Sequence, residues 1–115
     1  MLVLTIDNVP PGHRVERILG EVIGVTIRPD NPYVEGVKTL DGETNPHLRL
    51  LVRTRQEAVA GMVAHARSLG ANAIIGMRFD HRTVGKWNEI CAYGTAFVLS
   101  PVPVDIPVPA AAAAA

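Results

Sequence analysis

Hydrophobic and polar positions change period along this chain, and each change marks an element. Met1 to Asp7 alternates, with Leu2, Leu4 and Ile6 on one side, which predicts a short strand. "NVPPGHR" then reads as a turn, because paired prolines and a glycine cannot continue a ladder. Val15 to Arg28 predicts a long second strand. Val15, Leu19, Ile23, Val25 and Ile27 fall on one face and Ile18, Val22 and Thr26 on the other, with Gly20 and Gly24 between. Apolar residues on both faces imply that both are covered, and the glycines suggest bends or close approach. Asn45 and Pro46 suit an N-cap and first helical position. Leu48, Leu51, Val52, Val59, Met62, Val63, Ala66 and Leu69 then recur at helical spacing until Gly70. That predicts a helix of about 22 residues, roughly 33 Å long.

From Ala71 the period is two. The third strand divides into Ala73, Ile75, Met77, Phe79 and His81 against Ile74, Gly76, Arg78, Asp80 and Arg82. The fourth divides into Cys91, Tyr93, Thr95, Phe97 and Leu99 against Ile90, Ala92, Gly94, Ala96 and Val98. Matching the large apolar sets sets Phe79 opposite Tyr93 and Ile75 opposite Phe97, with the turn at Gly85, Lys86 and Trp87. His81 then lies opposite Cys91. The other face, with Gly76, Gly94 and Ala96, is small enough for another backbone or helix to approach closely.

The order strand, strand, helix, strand, strand gives an α+β domain: a small antiparallel sheet with one long amphipathic helix on one face. Ile18, Val22, Ile74, Ile90 and Val98 cannot all point at the helix that covers Leu19, Ile75 and Phe97. A bare second face of roughly 300 Å² follows, so self-association is expected, the rival being a connector that folds back over it. That connector, residues 29–46, is rich in Pro, Gly, Asp and Asn and reads as a surface loop with one helical turn at Tyr33 to Leu40. Residues 1–101 form the domain; residues 102–115, with alternate prolines and terminal alanines, form an extended tail.

Composition narrows the function classes. A chain of 115 residues supports one domain. Its 11 basic and 11 acidic residues balance, which argues against nucleic acid or an anionic membrane as partner. One cysteine forms no intrachain disulfide. No signal peptide or apolar run of ~20 residues is visible, so a cytoplasmic protein is the default expectation. No Ser-His-Asp arrangement, phosphate loop or HExxH occurs. The sharpest chemical candidate is a soft-metal site: His81 and Cys91 as cross-strand neighbours offer imidazole and thiolate to zinc or copper(I). Two ligands are too few, so His13, His47, His65 or other copies would complete it. The plainer reading makes Cys91 a small hydrophobe and His81 a rim residue. His65 reads as a boundary residue; Arg78, Asp80 and Arg82 as a charged cluster on one face; and exposed Trp87 as an anchor for a partner.

Longer stretches carry a resemblance. "LGEVIGVT" at Leu19 to Thr26, "GVKTLDGE" at Gly36 to Glu43, "RQEAVAGMVAHARSLGANAIIGMRFD" at Arg55 to Asp80 and "YGTAFVL" at Tyr93 to Leu99 resemble the YbjQ family, an uncharacterised bacterial family labelled heavy-metal-binding. The resemblance implies a dodecin-like subunit, assembled as a ring-shaped homopentamer with extra short strands at the subunit contacts. It supplies no catalytic motif. The expectation is therefore a homo-oligomeric, non-enzymatic domain with a candidate metal role. A small-molecule carrier, stacking planar ligands on Trp87 or Tyr93 between subunits, is the alternative, and an enzyme ranks last.

Overall fold

The computed structural model describes residues 1–29 and 46–103. The chain forms β1 (Leu2–Val3), β2 (His13–Pro29), α1 (Pro46–Ser68), β3 (Ala73–Val84) and β4 (Trp87–Pro101). These elements make one four-stranded sheet in the order β1-β3-β4-β2. β3 and β4 form a hairpin and β2 pairs antiparallel along the other side of β4. The helical turn expected at Tyr33 to Leu40, the cap at Asn45 and the tail beyond Pro103 lie outside the described residues.

The sheet is mixed, which corrects the antiparallel expectation. β1 runs parallel to β3, with Leu2 beside Ala73 and Val3 beside Ile74. The reason lies in "VPPG": with no tight hairpin after it, β1 does not pair with β2 and takes the edge beside β3 instead. Its backbone continues the contact past the strand, since Gly76 N–H donates to the Ile6 carbonyl at 2.8 Å and Met77 N–H to Leu4 at 2.9 Å.

α1 ends as the spacing predicts. Gly70, at φ 86°, takes the left-handed position and Ala71 N–H returns to the Ala66 carbonyl. The chain then enters β3 through Asn72, whose amide accepts from Leu99 N–H and donates to its carbonyl, both at 2.8 Å. That side chain acts as one more rung of the ladder.

The hairpin register differs from the expected one. The loop is two residues, Gly85 and Lys86, closed by Val84 and Trp87. Phe79 consequently faces Ala92, and a bulge between Ile75 and Arg78 sets Ile75 against Thr95 and Ala73 against Phe97. Large residues meet small ones across the strands, so the pairing of large apolar sets does not occur. β2 is bulged twice, between Val15 and Arg17 and between Ile18 and Gly20, where Gly20 adopts φ 99°. The second bulge exchanges faces: Ile18 shares a face with Phe97, while Leu19 packs toward the helix side.

The core lies between α1 and the small-residue face. Val22, Ile74, Ile90, Ala92 and Ala96 are fully or almost fully buried against Ala58, Met62 and Ala66. Val22, Ile74 and Ile90 thus lie under the helix, not on the second face to which their alternation assigned them. Gly24 makes this fit: a Cβ there would collide with the Ala58 carbonyl oxygen and Met62 nitrogen, with Gly61 C at 2.9 Å. Backbone lies on backbone, which only glycine permits.

Candidate functional site

The opposite face of the sheet is where the molecule has something left to do. One end of it is closed: Val9 and Phe97 pack on Ala73, Ile75 and Leu99. From there to the hairpin tip the register aligns three rows across β2, β4 and β3: Ile23, Tyr93, Arg78; Val25, Cys91, Asp80; Ile27, Glu89, Arg82. Pro29, Trp87 and Val84 end the series. Along β2 the row ends are apolar and exposed, Ile23 at 44 %, Val25 at 48 % and Ile27 at 57 %, and Ile18 reaches 66 %. Trp87 and Val84, with Ile27, Arg82 and Glu89, line a shallow depression of about 360 Å³ at the tip.

Charges run beside this stripe on β3. Arg78 bonds the Asp7 carboxylate at 3.0 Å and the Thr5 carbonyl at 2.6 Å. Arg82 approaches Glu89 at 3.8 Å. These pairs are solvent-exposed and hold geometry more than stability. The clustering of Arg78, Asp80 and Arg82 on one face agrees with the sequence reading, and the structure splits their partners between the N-terminal segment and β4.

The expected His81 and Cys91 pair is not formed within one chain. His81 faces Ile90 on the helix side, whereas Cys91 faces Asp80 on the bare side. The two-residue turn causes this, because a shift of one residue moves every side chain to the other face. His13 directs Nδ1 to the Pro11 carbonyl at 3.1 Å, His65 is engaged with β2, and the His47 side chain lies outside the described residues. Among the described residues no group of three or more His, Cys, Asp or Glu is placed to hold a metal ion. Burial pushes the half-buried Cys91 thiol up from its ordinary 9.0, and the carboxylates of Asp80, Glu89 and Glu21 push it further in that direction. A thiol so placed stays protonated at neutral pH and is a poor nucleophile.

His65 carries a role its sequence context did not reveal. Its Nδ1 accepts the backbone N–H of Ile23 at 3.2 Å, 42 residues away. The imidazole reaches over the free side of β2, so that N–H points away from β4. Among the described residues the rest of that outer edge between Glu21 and Ile27 has no backbone partner. Helical spacing marked His65 as a boundary residue, but nothing local in the sequence names β2 as its contact.

Among the described residues these features define a small mixed α+β domain with one covered face, one bare face and a long open edge. Comparison with known proteins gives the family. The model described as "Putative heavy-metal-binding", that of YbjQ, matches residues 1–100. A UPF0145 protein of Acidothermus cellulolyticus is 42 % identical over 84 % of this chain and 93 % of its own length. One from Streptomyces coelicolor is 42 % identical over 87 % and 98 %. One from Methanothermobacter thermautotrophicus is 39 % identical over 83 % and 88 %. The chain belongs to the UPF0145, or YbjQ, family. The archaeal relative corrects the expectation of a purely bacterial family. A crystal structure of a DUF74-family protein of unknown function from Pediococcus pentosaceus shares the fold, with a TM-score of 0.63 at 15 % identity, covering 87 % of this chain and 98 % of that one. Among the described residues no helix is long and apolar enough to cross a membrane.

Proposed function

We propose that the protein is a self-associating, non-catalytic cytoplasmic domain, with the five-copy ring that the family resemblance implies, and that its bare sheet face is where copies meet. The observation behind this reading is the exposed apolar stripe of Ile18, Ile23, Val25 and Ile27, with Trp87 at its end. Burying such a side chain fully contributes about 1.5–3 kcal/mol, so leaving the stripe in water is costly. The test is the solution mass at micromolar concentration by light scattering. A multiple of 12.3 kDa, five-fold for the ring, is the expected result. A monomer overturns the reading.

A soft-metal role for His81 and Cys91 has the family description behind it. Because the two residues occupy opposite faces, each would need ligands from elsewhere, with Asp80 the cross-strand neighbour of Cys91. Elemental analysis of untagged protein tests it: stoichiometric zinc or copper that is lost in Cys91→Ala supports the role, and metal-free protein opposes it. A carrier of planar ligands, stacking on Trp87 or Tyr93, is the remaining alternative, and a bound chromophore in metal-free protein would favour it.

A further inference from the structure

The depression at the hairpin tip carries two features that self-association does not use. The first is an ion pair left open. Among the described residues Arg78 bonds Asp7 at 3.0 Å, Arg28 bonds Glu57 and Arg14 reaches Glu16 at 3.5 Å, whereas Arg82 and Glu89 stop at 3.8 Å. That is too long for a hydrogen bond. The register sets these two residues directly opposite each other across β3 and β4, yet neither side chain takes part in a hydrogen bond among the described residues. The second feature is an aromatic wall. Trp87, 53 % exposed, stands one row further along the same face, with Val84 opposite it and Ile27 beside Glu89. These five residues line the depression of about 360 Å³, a size that admits a small planar ligand.

Chemistry narrows what fits. A carboxylate or phosphate drawn to Arg82 meets Glu89, and a cation drawn to Glu89 meets Arg82. A neutral ligand that sets an acceptor beside a donor satisfies both at once. Its ring would lie on the Trp87 indole, flanked by the aliphatic Ile27 and Val84. Trp87 and Glu89 are two residues apart on one strand face, about 6.8 Å, so a fused double ring stacked on the indole brings its edge to the charged pair. Guanine matches that pair in full: its carbonyl accepts from the guanidinium, and its two adjacent N–H groups face the two carboxylate oxygens. Adenine offers the carboxylate a single amino group.

We propose that the tip of the bare face is a binding site for a guanine-type heterocycle, free or as its nucleoside, stacked on Trp87 and read at its edge by Arg82 and Glu89. This rests on the carrier reading above and gives it a place and a ligand class. The site is complete within one chain. The balanced charge of the chain, with carboxylates at Asp80 and Glu89 on this face, disfavours the phosphates of a nucleic-acid strand.

Magnetic resonance titration of the full chain tests this, because Trp87 is the only tryptophan and its indole N–H gives a single signal. Guanosine, added up to millimolar concentration, is expected to shift that signal saturably. 1-Methylguanosine keeps the ring and loses one edge N–H, so it should bind about tenfold more weakly, as guanosine should to Glu89→Gln. A guanine-bearing single-stranded oligonucleotide should bind no tighter than guanosine. Equal shifts with guanosine, 1-methylguanosine and adenosine would mean that the ring stacks and the edge is not read; the guanine assignment then falls and the carrier reading stands. Shifts confined to Tyr93 overturn the tip site and leave a carrier, and shifts at neither residue overturn both. Tighter binding of the oligonucleotide overturns the free ligand.

Discussion

The two faces of the sheet differ in where their small residues lie. The covered face sets Gly24, Ala92, Gly94 and Ala96 among the buried Val22, Ile74 and Ile90, while the bare one carries the exposed Ile23, Val25, Ile27 and Trp87. Distance explains the difference. α1 approaches so closely that its backbone touches β2 at Gly24, and small residues admit that approach. Large side chains on the other face hold the next surface further off, as strands and flat contacts require. The residue just before or after a buried one is therefore the informative one: Val22 is fully buried and Ile23 is 44 % exposed.

The largest effect should come from breaking the close face. Gly24→Val places atoms into the Ala58 carbonyl and the Met62 amide, both helix backbone, which cannot yield without moving α1 off the sheet. Its cost should reach or exceed the roughly 3 kcal/mol at the top of ordinary overpacking, read as a lowered urea midpoint or as loss of soluble protein. Gly94→Ala should cost less, about 1–3 kcal/mol, because its nearest obstacle is a side-chain methyl, Ile74 Cγ2 at 2.7 Å, and the backbone atoms of Ile75 and Met77 stand off at 3.3 Å. Equal losses at the two positions would mean that backbone contact is not what fixes the covered face.

How far this contrast could be seen in the sequence depends on the element. The helix was legible nearly to its ends, because apolar spacing and Pro46 and Gly70 mark it locally. The hairpin was legible as a pair of strands, but not its register: Gly85, Lys86 and Trp87 suit a loop of two residues or three, and that single residue decides whether Cys91 meets Asp80 or His81. The bulges in β2 were readable only as glycines that suggest bends, yet one of them exchanges the faces of Ile18 and Leu19. The place of β1 beside β3, and the bond from Ile23 to His65, join parts of the chain far apart and leave no local pattern. A second apolar face was foreseen, and Ile18 does lie on it with Leu19 on the helix side; Val22, Ile74 and Ile90 do not, because alternation fixes which side chains share a face and not which face the helix takes.

The bare face sharpens the comparison with smaller effects on folding. Ile23→Glu replaces a side chain that is 44 % exposed in the subunit, so it should cost far less folding stability than Gly24→Val, about 1 kcal/mol. Its effect should fall on assembly, seen by light scattering as a lower mass. If the same substitution lowers the urea midpoint as much as Gly24→Val while the mass is unchanged, the stripe is internal to the fold and the reading of this face is wrong. Asn72→Ala is the control for ladder bonds away from the stripe. It removes a donor and an acceptor from Leu99 and should cost about 1–3 kcal/mol without changing the mass.

The smallest effect probes the middle of the bare face through Cys91. Burial and the nearby carboxylates raise its thiol above the ordinary 9.0, so the folded protein holds that proton more tightly than the unfolded chain does. Below the ordinary thiol range both states are protonated and the full contribution to stability is present. As pH rises through that range the unfolded chain ionises first and is favoured, so stability falls until the folded thiol also ionises. Wild type should therefore lose stability between neutral and alkaline pH more steeply than Cys91→Ala, by at most one proton in the slope, and native Cys91 should alkylate more slowly than the unfolded thiol. Identical slopes would mean that Cys91 is as well solvated in the fold as in the open chain, and the bare face would then be wetter around Asp80 and Cys91 than its packing indicates. A steeper difference in assembled protein than in the Ile23→Glu variant would connect the thiol to the contact itself, because a neighbour covering the stripe removes more water from the same sulfur.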